Sequence, residues 1–287
     1  MARRTAGRKP ARTAARTAGL PSKPARRQAQ ATGVYTNHNQ WTTDPKYGAL
    51  VDAKQWLNGE TAGSPVSLGC EMDKYGEIKG LIAGTTSIVG AANPADKACF
   101  GSLARTIDQS PNGLPADKVQ IATLFPSTTS ADGVCKNFAS GTTDAYVIHV
   151  GEGVDATALG EFAKLGSVTT TPDCLDAPQT TIVHGTAFGD AEFTTMAANG
   201  TSLVWSPRSN VFLYGQGTDL TKTANVPLAR SKGINVALGP DWSIGGSPSR
   251  SPRAGAASSC ASPRRAARRP TSSGRRWGTS SRPSQRP

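Results

Sequence analysis

The chain has 287 residues, 37% of them hydrophobic, and a formal net charge of +12 at pH 7. That length admits one large domain or two small ones with a substantial core. No run of 18 apolar residues occurs and the basic N-terminal end lacks the apolar centre of a secretory signal, so neither membrane insertion nor export is supported.

Residues 1–31 carry nine Lys or Arg and no acid. They are rich in Ala, Pro, Ser, Thr and Gly and cannot bury enough surface to offset the entropy of ordering, so disorder is expected. Residues 248–287 carry ten Arg and no acid, with the same expectation. This tail also lacks Lys, Ile, Leu, Val, Phe and Tyr, the bias that a G+C-rich coding region gives when translated in a shifted frame. Residues 32–247 keep thirteen basic against all twenty acidic residues, a net of −7. The positive charge is therefore terminal, and nucleic acid is expected to bind at most non-specifically, through the ends.

Within 32–247, short apolar runs recur, each followed by a turn and a helix-compatible stretch, which predicts strand-helix units and a parallel sheet. Strands are predicted at 85–90 ("TTSIVG"), 119–125 ("VQIATLF"), 145–150 ("AYVIHV"), 180–185 ("TTIVHG"), 202–206 ("SLVWS") and 234–239 ("INVALG"), with a weaker one at 102–107. Continuous rather than alternating apolar character fits strands covered on both faces. Helices are predicted in "DATALGEFAKLG" and "GDAEFTTMAANG", which end in Gly, and in "LTKTANVPLARSKG", interrupted by Pro227.

Polar residues cluster at the strand ends: His149, His184, Ser206 and, just after the last strand, Asp241. Chemistry contributed by several strand ends favours a (β/α)8 barrel over an open doubly wound sheet, where a ligand sits at one switch point. The fold class expected is α/β, an incomplete TIM-like barrel. His149 has a ring nitrogen to offer a metal, Glu152 stands three residues on as a proton shuttle, Asp241 can ligate and accept a proton, and His184 can hydrogen-bond an oxyanion. Taken singly, a strand-end His is more often structural, and an Asp after a strand commonly caps a helix.

The stretches "YGEIKGLIAGTTSIVGA", "VIHVGEGVD", "TTIVHGTAFGDAEFTTMAANGTSLVWSPRSNVFLYGQGTDL" and "INVALGPDWSIGGS" resemble the amidohydrolase superfamily, in particular its chlorohydrolase and cytosine- or adenosine-deaminase-like branch, over about residues 33–247. The resemblance implies a metal-dependent barrel that hydrolyses non-peptide carbon-nitrogen bonds of a small molecule. It implies His149 as fifth-strand metal ligand, Glu152 as acid/base, His184 as sixth-strand catalytic histidine, and Asp241 as eighth-strand ligand and base. The implied cofactor is a divalent metal, with zinc the expected ion. Ser206, Pro207, Ser209 and Asn210 match the seventh-strand segment, where a tight turn shaping the mouth is expected.

Relatives carry a His-x-His pair on the first strand, and this sequence has none: His38, in "TNHNQW", is the remaining histidine. The "DWSIGGS" segment likewise turns abruptly into the Arg-rich tail, so the chain reads as truncated relative to the family. With two first-strand ligands missing, weak metal binding and low or no activity are expected. A noncatalytic small-molecule-binding barrel remnant is the alternative reading; a nucleic-acid binder acting through the basic ends is the third. His38 is left with a structural role. Trp41, Tyr47 and Trp56 serve either a pocket or simple packing. The five cysteines, without CxxC spacing, are expected reduced in a cytoplasmic protein and packed as small apolar residues.

Overall fold

The structure, a computed structural model, describes residues 35–82, 84–85, 87–89, 103–107, 118–123, 125–239 and 241. Both basic ends expected to be disordered lie outside the described residues. In chain order the helices are α1 His38–Thr42, α2 Pro45–Asn58, α3 Gly69–Ile82, α4 Thr128–Ser140, α5 Ala156–Ser167, α6 Asp190–Asn199, α7 Pro207–Tyr214 and α8 Val226–Ser231. The strands are β1 Ser87–Ile88, β2 Arg105–Thr106, β3 Val119–Ala122, β4 Ala145–Val150, β5 Thr180–His184, β6 Ser202–Trp205 and β7 Val236–Leu238.

All seven predicted strands are present, most of them shorter than expected. β3 to β7 pair in parallel, in sequential order, in one five-stranded sheet, and β1 and β2 form a separate parallel pair. Sequential order without a switch point is what a strand-helix barrel requires. Among the described residues the two sheets are not hydrogen-bonded to each other.

The register explains which face does what. Ala122, Ile148, Ile182, Leu203 and Val236 form one row across the sheet. That row packs with Leu165 of α5 and with Phe193 and Met196 of α6 in the main core. Burying each large side chain of this kind contributes roughly 1.5–3 kcal/mol. His149, one residue beyond Ile148, shares the opposite face with Val183, Val204 and Ala237.

Local signals set the helix ends. Asp155 caps α5 by accepting from the Ala158 amide at 3.0 Å, and Gly141 ends α4 with a φ of 70°. Two expectations are corrected here. Pro207 to Asn210 open the helix α7 rather than a tight turn, because Pro in the first turn gives up only an amide without an intrahelical partner. For the same reason Pro227 starts α8 instead of interrupting a longer helix.

The cysteine reading is also corrected: Cys135 of α4 and Cys174, in the loop before β5, are joined in a disulfide, and Cys70 is disulfide-bonded as well. The same loop is tied to α4 by Asp132, which accepts from the Thr170 amide at 2.8 Å and its hydroxyl at 2.6 Å. Disulfides of this kind persist in oxidising compartments, which runs against the reduced state expected from the scattered spacing. No helix among the described residues is long and apolar enough to cross a membrane. Non-reducing peptide mapping of the full chain should recover Cys135 and Cys174 in one linked species. Replacing both with Ala should lower the unfolding free energy by about 2–4 kcal/mol; two separate thiol peptides would contradict the pairing.

Candidate active site

The site lies at the C-terminal ends of β4, β5 and β7. His149 is the penultimate residue of β4 and keeps the inner face that strand alternation gives it. Its Nδ1 lies 3.3 Å from the Ala122 carbonyl oxygen. A carbonyl only accepts, so Nδ1 carries the proton and Nε2 is left with its lone pair. Burial holds the His149 ring below the usual imidazole pKa.

His184 reaches the same place by a different route. A regular strand would put it on the face of Ile182, toward the helices. Its φ of 78° breaks the alternation, and its ring centroid stands 5.2 Å from that of His149. A left-handed backbone at a non-glycine residue is a strain that persists where the surroundings enforce it, and such strain concentrates at functional sites. Asp241 has a positive φ too, of 42°.

Glu152 follows β4 on the Gly151–Gly153 loop. Gly151 has a φ of 70°, and a Cβ there would run into the Phe188 ring, so the tight exit from β4 needs glycine. The Glu152 carboxyl is buried, with Oε2 3.6 Å from His184 Nε2. His184 Nε2 is also 4.0 Å from Asp241 Oδ2. Glu152, His184 and Asp241 each present a ligand-type atom, all within 4.8 Å of one another. The structure therefore brings three of the sequence-predicted residues to one point, with His149 beside them; its ring feels the charge of Asp241.

Burial dominates the electrostatics. It pushes the Glu152 carboxyl up to about 8, with the nearby Asp241 charge adding to the effect. It pushes His184 down to about 3, against the pull of Asp241. Both groups are thus electrically neutral near pH 6, which is how closely placed acid and base survive away from water.

Several residues of the site were not found from the sequence. His38, left with a structural role, is here: its Nδ1 lies 3.8 Å from Glu152 Oε2 and its Nε2 3.3 Å from Glu161 Oε1. Glu161, on α5, accepts from the Gly151 amide at 2.8 Å. Tyr214, at the end of α7, donates to Glu152 Oε1 at 3.1 Å or to its carbonyl at 3.2 Å, and Trp41 donates its indole N–H to Tyr214 Oη at 3.2 Å. The "TNHNQW" stretch held the only available signal, a histidine and a tryptophan at helical spacing. Of the other aromatic candidates, Tyr47 packs edge-on against Trp41 at 4.9 Å, while Trp56 is exposed.

No protein-family model and no curated protein sequence matches the chain. Solved structures do. A variant of atrazine chlorohydrolase from Arthrobacter aurescens TC1, solved with zinc and atraton, superposes with a TM-score of 0.51 at 13% identity, covering 77% of this chain and 57% of the enzyme. Weaker likenesses include triazine hydrolase from Arthobacter aurescens (TM-score 0.45, 12% identity, 74% of this chain and 54% of that one). Another is an adenosine deaminase from Xanthomonas campestris with bound zinc (TM-score 0.35, 16% identity, 67% and 50%). The chlorohydrolase is an amidohydrolase superfamily protein, and the fold of this chain is like its fold. The chain spans a little over half the length of the chlorohydrolase, 57%.

The two shifted groups give opposite slopes of stability with pH. Glu152 titrates near 4.5 when unfolded and near 8 when folded, so the stability its neutral form confers is complete below about 4.5 and is lost as pH rises toward 8. His184 goes from 6.5 to about 3, so stability rises with pH between those values. Denaturant melts of the chelator-treated chain should show stability falling from pH 6.5 to 8. Glu152→Gln should flatten that fall; an unchanged slope in the variant would place the titration elsewhere.

Proposed function

We propose that the chain is a metal-dependent hydrolase acting on non-peptide carbon-nitrogen bonds of a small molecule, on a partial (β/α)8 barrel. The observation that carries this reading is the meeting of Glu152, His184 and Asp241 within 4.8 Å of one another at the strand ends, beside His149. The likeness of fold to a chlorohydrolase solved with zinc supports it.

The donor chemistry fits a divalent ion, with zinc the expected species. His149 offers the Nε2 lone pair, since its other nitrogen is occupied by Ala122, and Asp241 offers a carboxylate. Catalytic zinc sites ordinarily use three protein ligands, so two give weak binding. The ion, when bound, supplies Lewis acidity at the reacting centre.

The chain's own groups handle protons and charge. Glu152, protonated at neutral pH, is placed to give its proton to a departing amine nitrogen, and the carboxylate so formed regains one from the proton that Asp241 takes from the attacking water. Asp241, partly exposed, is the complementary acceptor beside it. His184 donates a hydrogen bond to the oxygen on which negative charge builds as the carbon becomes tetrahedral. The buried ring of Tyr214 and the α1 helix exclude water from one side of Glu152.

The test incubates the full chain with zinc and N-heterocyclic amines such as cytosine and adenosine, and measures released ammonia. Zinc-dependent release, lowered about 10²–10⁴-fold in Glu152→Gln and abolished in Asp241→Asn, is the expected result. Zinc-dependent thermal stabilisation with no turnover of any such amine would favour the noncatalytic binding reading instead.

A further inference from the structure

His184 has two ring nitrogens, and only one faces the reacting groups. The other, Nδ1, is 3.0 Å from Asn210 Nδ2. The orientation of the Asn210 amide follows from the rest of its surroundings. The Trp205 indole N–H can only donate, and it donates to Thr223 Oγ1 at 2.7 Å. The Thr223 hydroxyl in turn donates to Asn210 Oδ1, at 3.3 Å. With Oδ1 accepting, the amide nitrogen of Asn210 must be the atom beside His184, and an NH₂ group donates. His184 Nδ1 is therefore the acceptor, and in the neutral ring the proton sits on Nε2.

We propose that Trp205, Thr223 and Asn210 form a directional relay that fixes the tautomer of His184, making it an N–H donor toward Glu152 and Asp241 rather than a metal ligand. Trp205 closes β6, Thr223 lies before α8 and Asn210 is in α7, so three elements cooperate on one proton. The two neighbouring histidines are held in opposite states. His149 is anchored by a carbonyl and keeps a lone pair on Nε2, while His184 is anchored by an amide N–H and keeps a hydrogen there. The cluster of Glu152, His184 and Asp241 thus has the spacing of a three-ligand site, yet His184 presents a hydrogen to it rather than a lone pair. Trp205, Thr223 and Asn210 are positioning residues: they touch neither reactant and act through His184. Their consequence for turnover rests on the hydrolase reading; the tautomer itself does not.

The chain has three histidines, so ¹⁵N-histidine labelling of the full, chelator-treated protein gives three resolvable rings. Long-range ¹H–¹⁵N spectra near pH 7 should show His184 with a lone-pair Nδ1 and a protonated Nε2, and His149 the reverse. Asn210→Asp replaces the donor with a carboxylate that only accepts and should reverse the His184 pattern. Thr223→Val removes the hydrogen that orients the amide and should give a mixture of both tautomers, in a fold less perturbed than that of the Asp variant. Zinc affinity by calorimetry should tighten about tenfold in Asn210→Asp, as His184 gains a lone pair toward the ion. A lone pair on His184 Nε2 in the unsubstituted chain, or an unchanged pattern in both variants, overturns the relay. With an active substrate in hand, Thr223→Val should lower kcat about tenfold with KM within twofold. If the ring pattern is as expected and no amine is turned over, the relay stands and the hydrolase reading falls.

Discussion

Glu152 is almost wholly shielded from solvent, and the remainder of the site is arranged around that fact. A carboxyl in such a place keeps its proton, and a neighbouring imidazole in the same place sheds its own. Pairing the two produces a neutral site that carries a mobile proton on an oxygen acid and an N–H on an imidazole. Tyr214 from one side and His38 from the other restrict where the carboxyl can point. Asp241, less deeply placed, brings the one carboxylate that water still touches.

How much of this could be read from the chain depends on the kind of signal. The strands were legible because their apolar runs are continuous, and α5 and α6 because of their apolar spacing; Gly200 does end α6, whereas Gly166 lies inside α5, which runs on to Ser167. His149 and Glu152 were legible for the same reason: both follow from where β4 ends. His184 was read as a strand-end residue, but strand alternation alone would have turned it away from the site. Only its left-handed backbone, which no local pattern announces, brings the ring round.

Other features were hidden because they depend on partners remote in sequence. His38 is 114 residues from Glu152 in numbering, and a lone histidine without a second nearby gives no reason to suspect a site. Glu161 lies on α5 with no local pattern to mark it; its role comes from the Gly151 amide. The relay behind His184 was invisible for a further reason: its direction is a property of hydrogen positions, deduced only once Trp205 and Thr223 are seen together. The prolines misled in one consistent way, since a proline that opens a helix and one that breaks it look alike until the preceding cap is known.

The segment from Tyr35 to Asp44 is stitched to the loop after β4. Asp155 holds the Thr36 hydroxyl and the Asn37 amide, each at 2.6 Å, and the Val154 amide reaches the Thr36 carbonyl at 2.7 Å. Asp241 arrives from the other extreme of the described chain. During synthesis, then, His38 leaves the ribosome first and must wait for more than a hundred residues before Glu152 exists to receive it, and longer still for the aspartate. The scaffold of β3 to β6 can carry His149, Glu152 and His184 into place on the nascent chain before Asp241 is made, so completion of the site is a late, long-range event.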